Sequence, residues 1–270
     1  MTVKKYGSFI LRKAGLLELA DYIKFIISLL KNSKTNRKFV KANPGVSLPP
    51  DFILFESFGK LNYHAYYYKG KETAAGLFNI IEEYADIKSL KVLEWGCGPA
   101  RVLRHLPDLY PDSEFYGSDY NDKTISWCRK NINNVSFEIN HLEPPFRFED
   151  DTFDVIYSVS VFTHLDSENQ IKWFDECMRV LKNRGLFLFT THGDSATDRL
   201  LASEKKLYVS EGYYIRSNVT EGKRNFTSYN TEKYIRDSFK KHASFVEFIP
   251  GKKNEQDIWL VRKQEKINDK

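Results

Sequence analysis

Cysteine and methionine are scarce in this chain of 270 residues, which has three cysteines, Cys97, Cys128 and Cys177, and two methionines. The cysteines lie far apart in no metal-ligand spacing. This argues against a disulfide framework or a metal site and favours reduced thiols in a cytoplasmic compartment. The N-terminus lacks the pattern of a signal peptide. The Asn-x-Ser/Thr triplets at Asn134, Asn218 and Asn225 are therefore expected to be chance matches. Acidic residues are sparse only at one end. Residues 1–45 hold ten Lys or Arg against Glu18 and Asp21, a local balance of +8; the whole chain carries +5, so the remainder carries −3. The body thus offers no nucleic-acid surface.

Apolar residues, at 41%, and aromatic ones, at 15%, suffice for one sizeable α/β domain with an extension. Within the extension, Leu16 to Leu30 reads as a helix. Lys13, Asp21, Lys24, Ser28 and Lys31 form a narrow polar stripe, and Leu19, Ile23, Ile26 and Leu30 lie opposite. It is too short and too charged to span a membrane. The favoured reading docks it on its own domain or on a second subunit. The other lays it on an anionic membrane surface with Lys31, Lys34, Arg37, Lys38 and Lys41, which would place the protein peripherally at the inner membrane surface. Pro44, Pro49 and Pro50 mark a linker, so the extension is 1–45 and the domain 46–270. Thr73 to Tyr84 forms a helix on apolar spacing, and the aromatics Tyr63, His64, Tyr66, Tyr67 and Tyr68 before it are candidate pocket walls as well as packing residues.

The chemistry concentrates at Lys91-Val92-Leu93-Glu94-Trp95-Gly96-Cys97-Gly98-Pro99-Ala100-Arg101. Val92 and Leu93 suit a strand covered on both faces, Gly96 and Gly98 a sharp turn, and Ala100 to Leu106 a short helix ended by Pro107. A helix opening at a glycine turn presents free N–H groups to an anion. Cys97, at that helix start, is read as a small loop residue, although such a position lowers a thiol pKa. Glu114 to Asp119 reads as the next strand, ending in an acid where nucleotide-binding α/β folds place the carboxylate for the ribose hydroxyls. Arg101 stands where a dinucleotide fingerprint has its third glycine, which disfavours NAD.

Further along, Asn121 caps a helix to Asn131, Val135 to Ile139 and Phe153 to Ser158 read as strands, and Ile171 to Leu181 as a helix. Leu186 to Thr191 makes another strand. From His192 to Asn230 the chain is longer than a connection needs, and Lys206 to Ile215 with Asn218 to Tyr229 is expected to pair as a hairpin. Thr231 caps a helix to about Lys241, and Phe245 to Ile249 and Ile258 to Val261 are the last strands.

Glu94-x-Gly96-x-Gly98 together with Ser160-Val161-Phe162-Thr163-His164-Leu165 resembles the class I S-adenosylmethionine-dependent methyltransferases, in particular a bacterial subgroup with Ser-Val-Phe-Thr-His-Leu. Arg179-Val180-Leu181-Lys182-Asn183-Arg184-Gly185 is similar to the family's Arg-Val-Leu-Lys-x-Gly-Gly, with Arg184 in place of the first glycine. The resemblance covers about 46–263. It implies a Rossmann-like, seven-stranded, mostly parallel sheet with helices on both faces, and S-adenosylmethionine as cofactor. Glu94, Gly96 and Gly98 would hold its methionine part, Asp119 its ribose, and Asn140, His141 and Leu142 contact its adenine, with Cys97, Tyr120 and Ser158 also among the cofactor-binding residues. It also implies that the insertion at about 192–230 covers the pocket as a substrate lid; a hairpin that only lengthens the sheet edge is the alternative.

Methyl transfer needs alignment and exclusion of water, and a general base only where the acceptor bears a proton. His164 and His192, at neighbouring strand exits, are the candidate bases. The expected acceptor is a small molecule, a glycan or a lipid-linked group, with no metal. A NAD(P)-dependent oxidoreductase and a membrane-docked binding module without turnover are the alternatives.

Overall fold

The computed structural model describes residues 7, 10, 11, 13–216 and 219–265; Lys4, Lys5, Arg12 and Asn218, noted above for charge or sequence pattern, lie outside them. Short apolar runs become strands because each is buried on both faces, with alternate side chains reaching opposite layers. The sheet contains β1 (Lys91–Trp95), β2 (Glu114–Asp119), β3 (Ser136–Ile139), β4 (Phe153–Ser158), β5 (Leu181–Thr191), β8 (Ala243–Ile249) and β9 (Asp257–Lys263). Their order is β3-β2-β1-β4-β5-β9-β8. β1 pairs in parallel with both β2 and β4, and β9 runs antiparallel to both β5 and β8. The order reverses between β1 and β4, which opens a crevice at their C-terminal ends.

Period two explains the two cores. Val92, Phe115, Val155 and Leu186 pack on one face with Leu77, Phe78 and Ile81 of a helix at Tyr63–Glu82, and with Ile125 and Cys128 of one at Asp122–Asn131. Leu93, Ile156 and Phe187 pack on the other with Trp173, Phe174 and Cys177 of a helix at Ser167–Val180 and with Phe239 of one at Glu232–Phe239. Phe174 and Phe239 stack at 4.0 Å, joining those two helices. Asn121 caps its helix through Thr124 N–H, and Thr231 caps the last one through Tyr234 N–H.

Three expectations change. The turn after Gly98 does not open a helix: Ala100 has φ +55°, Leu103–His105 is a 3-10 turn, and a four-residue helix follows at Leu106–Leu109 with Pro107 in its first turn. Proline belongs there because its missing N–H is not needed in a first turn, so it starts this helix instead of ending the earlier one. The stretch from Lys206 is not a strand. Ala202–Glu211 is a helix closed by Gly212 at φ +79°, and only β6 (Tyr213–Ile215) and β7 (Ser228–Asn230) pair as a two-stranded ribbon. Third, the N-terminal helix, α1 (Leu17–Ala42), runs on past the expected end at Leu30; it docks on its own domain, as the favoured reading has it, and does so through polar residues. Ser28 Oγ accepts from Leu61 N–H at 2.8 Å, Asn36 Oδ1 accepts from Tyr63 N–H at 3.0 Å, and Asp21 is buried. It rests on α2 (Asp51–Phe58), where Phe25 meets Phe52 and Phe55 at 5.6 and 5.4 Å. Among the described residues no helix is long and apolar enough to cross a membrane.

Candidate active site

β1 ends at Trp95 and the chain turns through Gly96 at φ +73° and Gly98 at φ +51°. A Cβ on Gly96 would lie 2.1 Å from Val161 Cγ2, so the strand end and the loop after β4 touch only because this residue lacks a side chain. Ser118 carbonyl accepts from Gly96 N–H at 2.7 Å and from Cys97 N–H at 3.0 Å, which fastens the turn to β2. At the end of β2, Asp119 Oδ2 accepts from Gly98 N–H and Oδ1 from Asn121 N–H, each at 2.9 Å. Burial raises the Asp119 pKa, and the N–H groups of Asn121, Gly98 and Tyr120 oppose the rise. A carboxylate has about four lone-pair sites, so acceptor capacity remains here.

These residues border a crevice of about 630 Å³, within the usual range for a small-molecule site. Of the residues singled out from the sequence, Gly96, Gly98, Asp119, Tyr120, Asn140, His141, Leu142 and His164 line it. Asn140 is held there by Ser118 Oγ, which donates to its Oδ1 at 2.6 Å.

Glu94, Cys97, Ser158 and His192 are not among the lining residues. Strand alternation turns Glu94 beneath the turn, where its Oε2 accepts from Leu103 N–H at 3.1 Å and from Tyr157 hydroxyl at 2.9 Å. Burial pushes its carboxyl up to about 8, opposed by the Tyr157 hydrogen bond, by Arg101 and by Leu103 N–H. Cys97 is buried in the core, and burial raises its thiol well above the usual range, the reverse of activation at a helix start. Ser158 is fully buried. His192 is buried against Tyr229, ring centres 5.4 Å apart, and burial lowers its pKa to about 3. The tyrosines ahead of the first strand do not reach the crevice either. Tyr66 is buried and donates to Pro99 carbonyl at 2.6 Å, bracing the glycine turn from behind.

His164 has a defined tautomer when neutral. Its Nδ1 lies 2.8 Å from Phe226 carbonyl, which can only accept, so Nδ1 carries the proton and Nε2 keeps a lone pair. Burial lowers its pKa, which keeps the ring neutral at pH 7.

Other parts of the wall escape sequence reasoning. Trp95 and Trp173 stack at 4.7 Å, and Trp173 Nε1 donates to Leu142 carbonyl at 2.8 Å, fixing the loop after β3. Phe52, Ile53 and Glu56 of α2 close one side. The loop before β7 adds Gly222 and Arg224 to the wall. Gly222 N–H donates to His164 carbonyl at 3.0 Å, Glu221 accepts from Asp166 N–H at 2.7 Å, Lys223 pairs with Glu18 at 2.8 Å, and Arg224 pairs with Asp21. These partners are distant in sequence and carry no local pattern.

A family model described as a methyltransferase domain matches residues 92–185, the stretch from β1 into β5 that contains the glycine turn, Asp119 and His164. That stretch of the chain is thus similar to a methyltransferase domain. The chain is similar to a malonyl-[acyl-carrier protein] O-methyltransferase of Bacillus cereus, 28% identical over 177 residues, covering 62% of this chain and 61% of that protein. It is also similar to a fatty-acid O-methyltransferase of Mycolicibacterium smegmatis, 29% identical over 115 residues, covering 42% of this chain and 41% of that protein. The chain thus spans about three-fifths or less of these curated relatives. Its fold matches an S-adenosylmethionine-dependent methyltransferase structure from Methanosarcina mazei with a TM-score of 0.54 at 19% identity, covering 68% of this chain and 97% of the other. The cofactor of such a methyltransferase domain is S-adenosylmethionine. The crevice suits that molecule: a side-chain-free turn at Gly96 and Gly98, a carboxylate with spare acceptor sites beside it, and apolar rings at Trp95 and Trp173.

Proposed function

We propose that this domain transfers the methyl group of S-adenosylmethionine to a small-molecule or lipid-linked acceptor, and that the acceptor bears a carboxylate. The reading is carried by one juxtaposition: the glycine turn and Asp119 stand along one crevice with His164 and Arg224. When bound, the cofactor supplies an electrophilic methyl on a sulfonium.

In this reading Gly96 and Gly98 give the amino-acid end room, Asp119 and Tyr120 take the sugar hydroxyls, and Asn140, His141 and Leu142 receive the base. Arg224, seated over the Phe55 ring at 5.0 Å and paired with Asp21, is the cation that orients an acceptor carboxylate at the mouth. The loop at Glu221 to Arg224 excludes water, which matters because an in-line displacement gains from alignment and a dry site. A carboxylate is already ionised at pH 7 and needs no base, so His164 Nε2 accepts a hydrogen bond or, for a hydroxyl acceptor, a proton. The names of the malonyl-carrier and fatty-acid relatives support an acyl acid as acceptor, and the apolar lining of Val161, Leu165 and Trp173 accommodates its chain.

The test is formation of S-adenosylhomocysteine with a panel of acyl acids, acyl thioesters, glycans and amines. Turnover with acids that exceeds turnover with glycans and amines supports the reading. Turnover confined to glycans or amines refutes the acceptor, and none with any member refutes the activity.

A further inference from the structure

Helix α1 turns polar side chains inward and leaves an apolar row outside. Leu19, Tyr22, Ile23, Ile27 and Leu30 are each at least half exposed, and Ile26 over a third. Their spacing of three and four puts them on one face. A surface helix normally shows the opposite arrangement. Here the inward positions are taken by Asp21 on Arg224, Ser28 on Leu61, and Asn36 on Leu61 and Tyr63, with Phe25, Leu29 and Phe39 between them. The apolar row is therefore what this docking leaves free, and the helix cannot rotate to bury it without breaking those bonds.

Two further observations name an occupant. Beyond Leu30 most of the exposed residues are basic, with Lys31, Lys34, Arg37, Lys38 and Lys41 continuing along the helix beside Thr35, Val40 and Ala42. The apolar row also runs to the crevice: Tyr22 lies 6.2 Å from Phe25, Phe25 lies 5.6 Å from Phe52, and Phe52 is itself half-exposed and lines the crevice. The ion pairs Glu18–Lys223 and Asp21–Arg224 tie the same helix to the loop before β7.

We propose that this face of α1 lies on an anionic lipid surface and that the crevice takes a lipid-borne acceptor from that surface by way of Phe52. The apolar row would enter the boundary between headgroups and acyl chains, and the lysines would meet the headgroups. A second copy of the chain is the weaker occupant, because it would bring an identical extension of charge +8 against the first, whereas anionic headgroups are complementary. The docking stands on the helix alone; the route for the acceptor rests on the methyl-transfer reading.

The experiment is co-sedimentation of the full chain with vesicles of phosphatidylcholine alone and of phosphatidylcholine with phosphatidylglycerol. Two variants, Ile23→Glu with Ile27→Glu and Lys34→Glu with Lys38→Glu, change only exposed residues. S-adenosylhomocysteine affinity and light-scattering mass are measured on each. The proposal expects sedimentation with the anionic vesicles, weakened about tenfold or more by either variant, with nucleoside affinity unchanged. Wild type left in the supernatant, equal binding to both vesicles, or an Ile23→Glu/Ile27→Glu variant that still sediments would overturn it. So would a dimer that this variant splits while no vesicle is bound. If vesicles bind but the nucleoside does not, the methyl-transfer reading fails together with the acceptor's route, and the docking is judged on sedimentation alone.

Discussion

Gly98 donates its backbone N–H to Asp119 Oδ2 at 2.9 Å, so the turn after β1 and the acid ending β2 form one unit. Asp119→Ala therefore frees the N–H groups of Gly98 and Asn121 as well as deleting a carboxylate on the crevice wall, whereas Asp119→Asn keeps one acceptor oxygen. The alanine variant is expected to lower folding stability by about 1–3 kcal/mol in urea unfolding, and the asparagine variant by less. Equal losses would separate the turn from the acid.

Gly96 and Gly98 answer to different constraints. Gly96→Ala combines φ +73° with a Cβ 2.1 Å from Val161 Cγ2; Gly98→Ala meets only Ser57 Cβ at 3.4 Å, an ordinary contact, at φ +51°. Urea midpoints should show a loss of about 1–2 kcal/mol for Gly98→Ala from the left-handed backbone and a larger one for Gly96→Ala.

Glu94 predicts a pH slope. Its folded pKa of about 8 lies above the unfolded value near 4.5, so the folded chain keeps a proton that the unfolded chain releases between those pH values. The stability from this proton is complete below about pH 4.5 and lost as pH rises through 8. Thermal midpoints at pH 5 and pH 8 should fall further apart in wild type than in Glu94→Gln, which has no proton to lose. An unchanged gap would contradict the assignment.

His164 and His192 should separate by assay. His192, buried with a pKa lowered to about 3 from the usual 6.5, is charged in the unfolded chain but not the folded one between those values. Stability due to the neutral ring is present above about 6.5 and lost as pH falls toward 3. His192→Gln is expected to flatten the acid limb of stability without changing turnover, because His192 is not on the crevice wall. His164→Gln should lower turnover of hydroxyl acceptors by about a hundredfold, the lower range for a general base, and change that of carboxylates little. Initial rates with both acceptor types across pH decide this.

Trp173→Phe keeps a ring against Trp95 but loses the bond from Nε1 to Leu142 carbonyl. The loop after β3 should loosen, and S-adenosylhomocysteine affinity should fall roughly fivefold, in keeping with about 1 kcal/mol for one hydrogen bond. Calorimetry of the variant checks it.

What could be read from the sequence was local. The run Val92–Leu93, the glycine turn and the acid at Asp119 each reflect constraints within a few residues, as do the caps at Asn121 and Thr231. The seven-stranded, mostly parallel sheet came with the family resemblance, and the placing of its antiparallel strand β9 between β5 and β8 comes from the structure. Readings failed where distant partners decide. Pro107 looked like a terminator because its role as a first-turn residue depends on the 3-10 turn before it. Amphipathic spacing in α1 located the helix but not which side faces inward, since Leu61, Tyr63 and Arg224 choose the polar side. The same holds for the wall: Trp95 meets Trp173, and Arg224 meets Asp21, across long stretches of chain.

Titration calorimetry of the full chain with S-adenosylhomocysteine, on wild type and on Asp119→Asn, measures the crevice directly. The account predicts one site per chain in wild type and affinity lower by about tenfold or more when the carboxylate is neutralised, as expected for losing charged hydrogen bonds to the sugar. No binding in wild type, or equal affinity in the two, would contradict it.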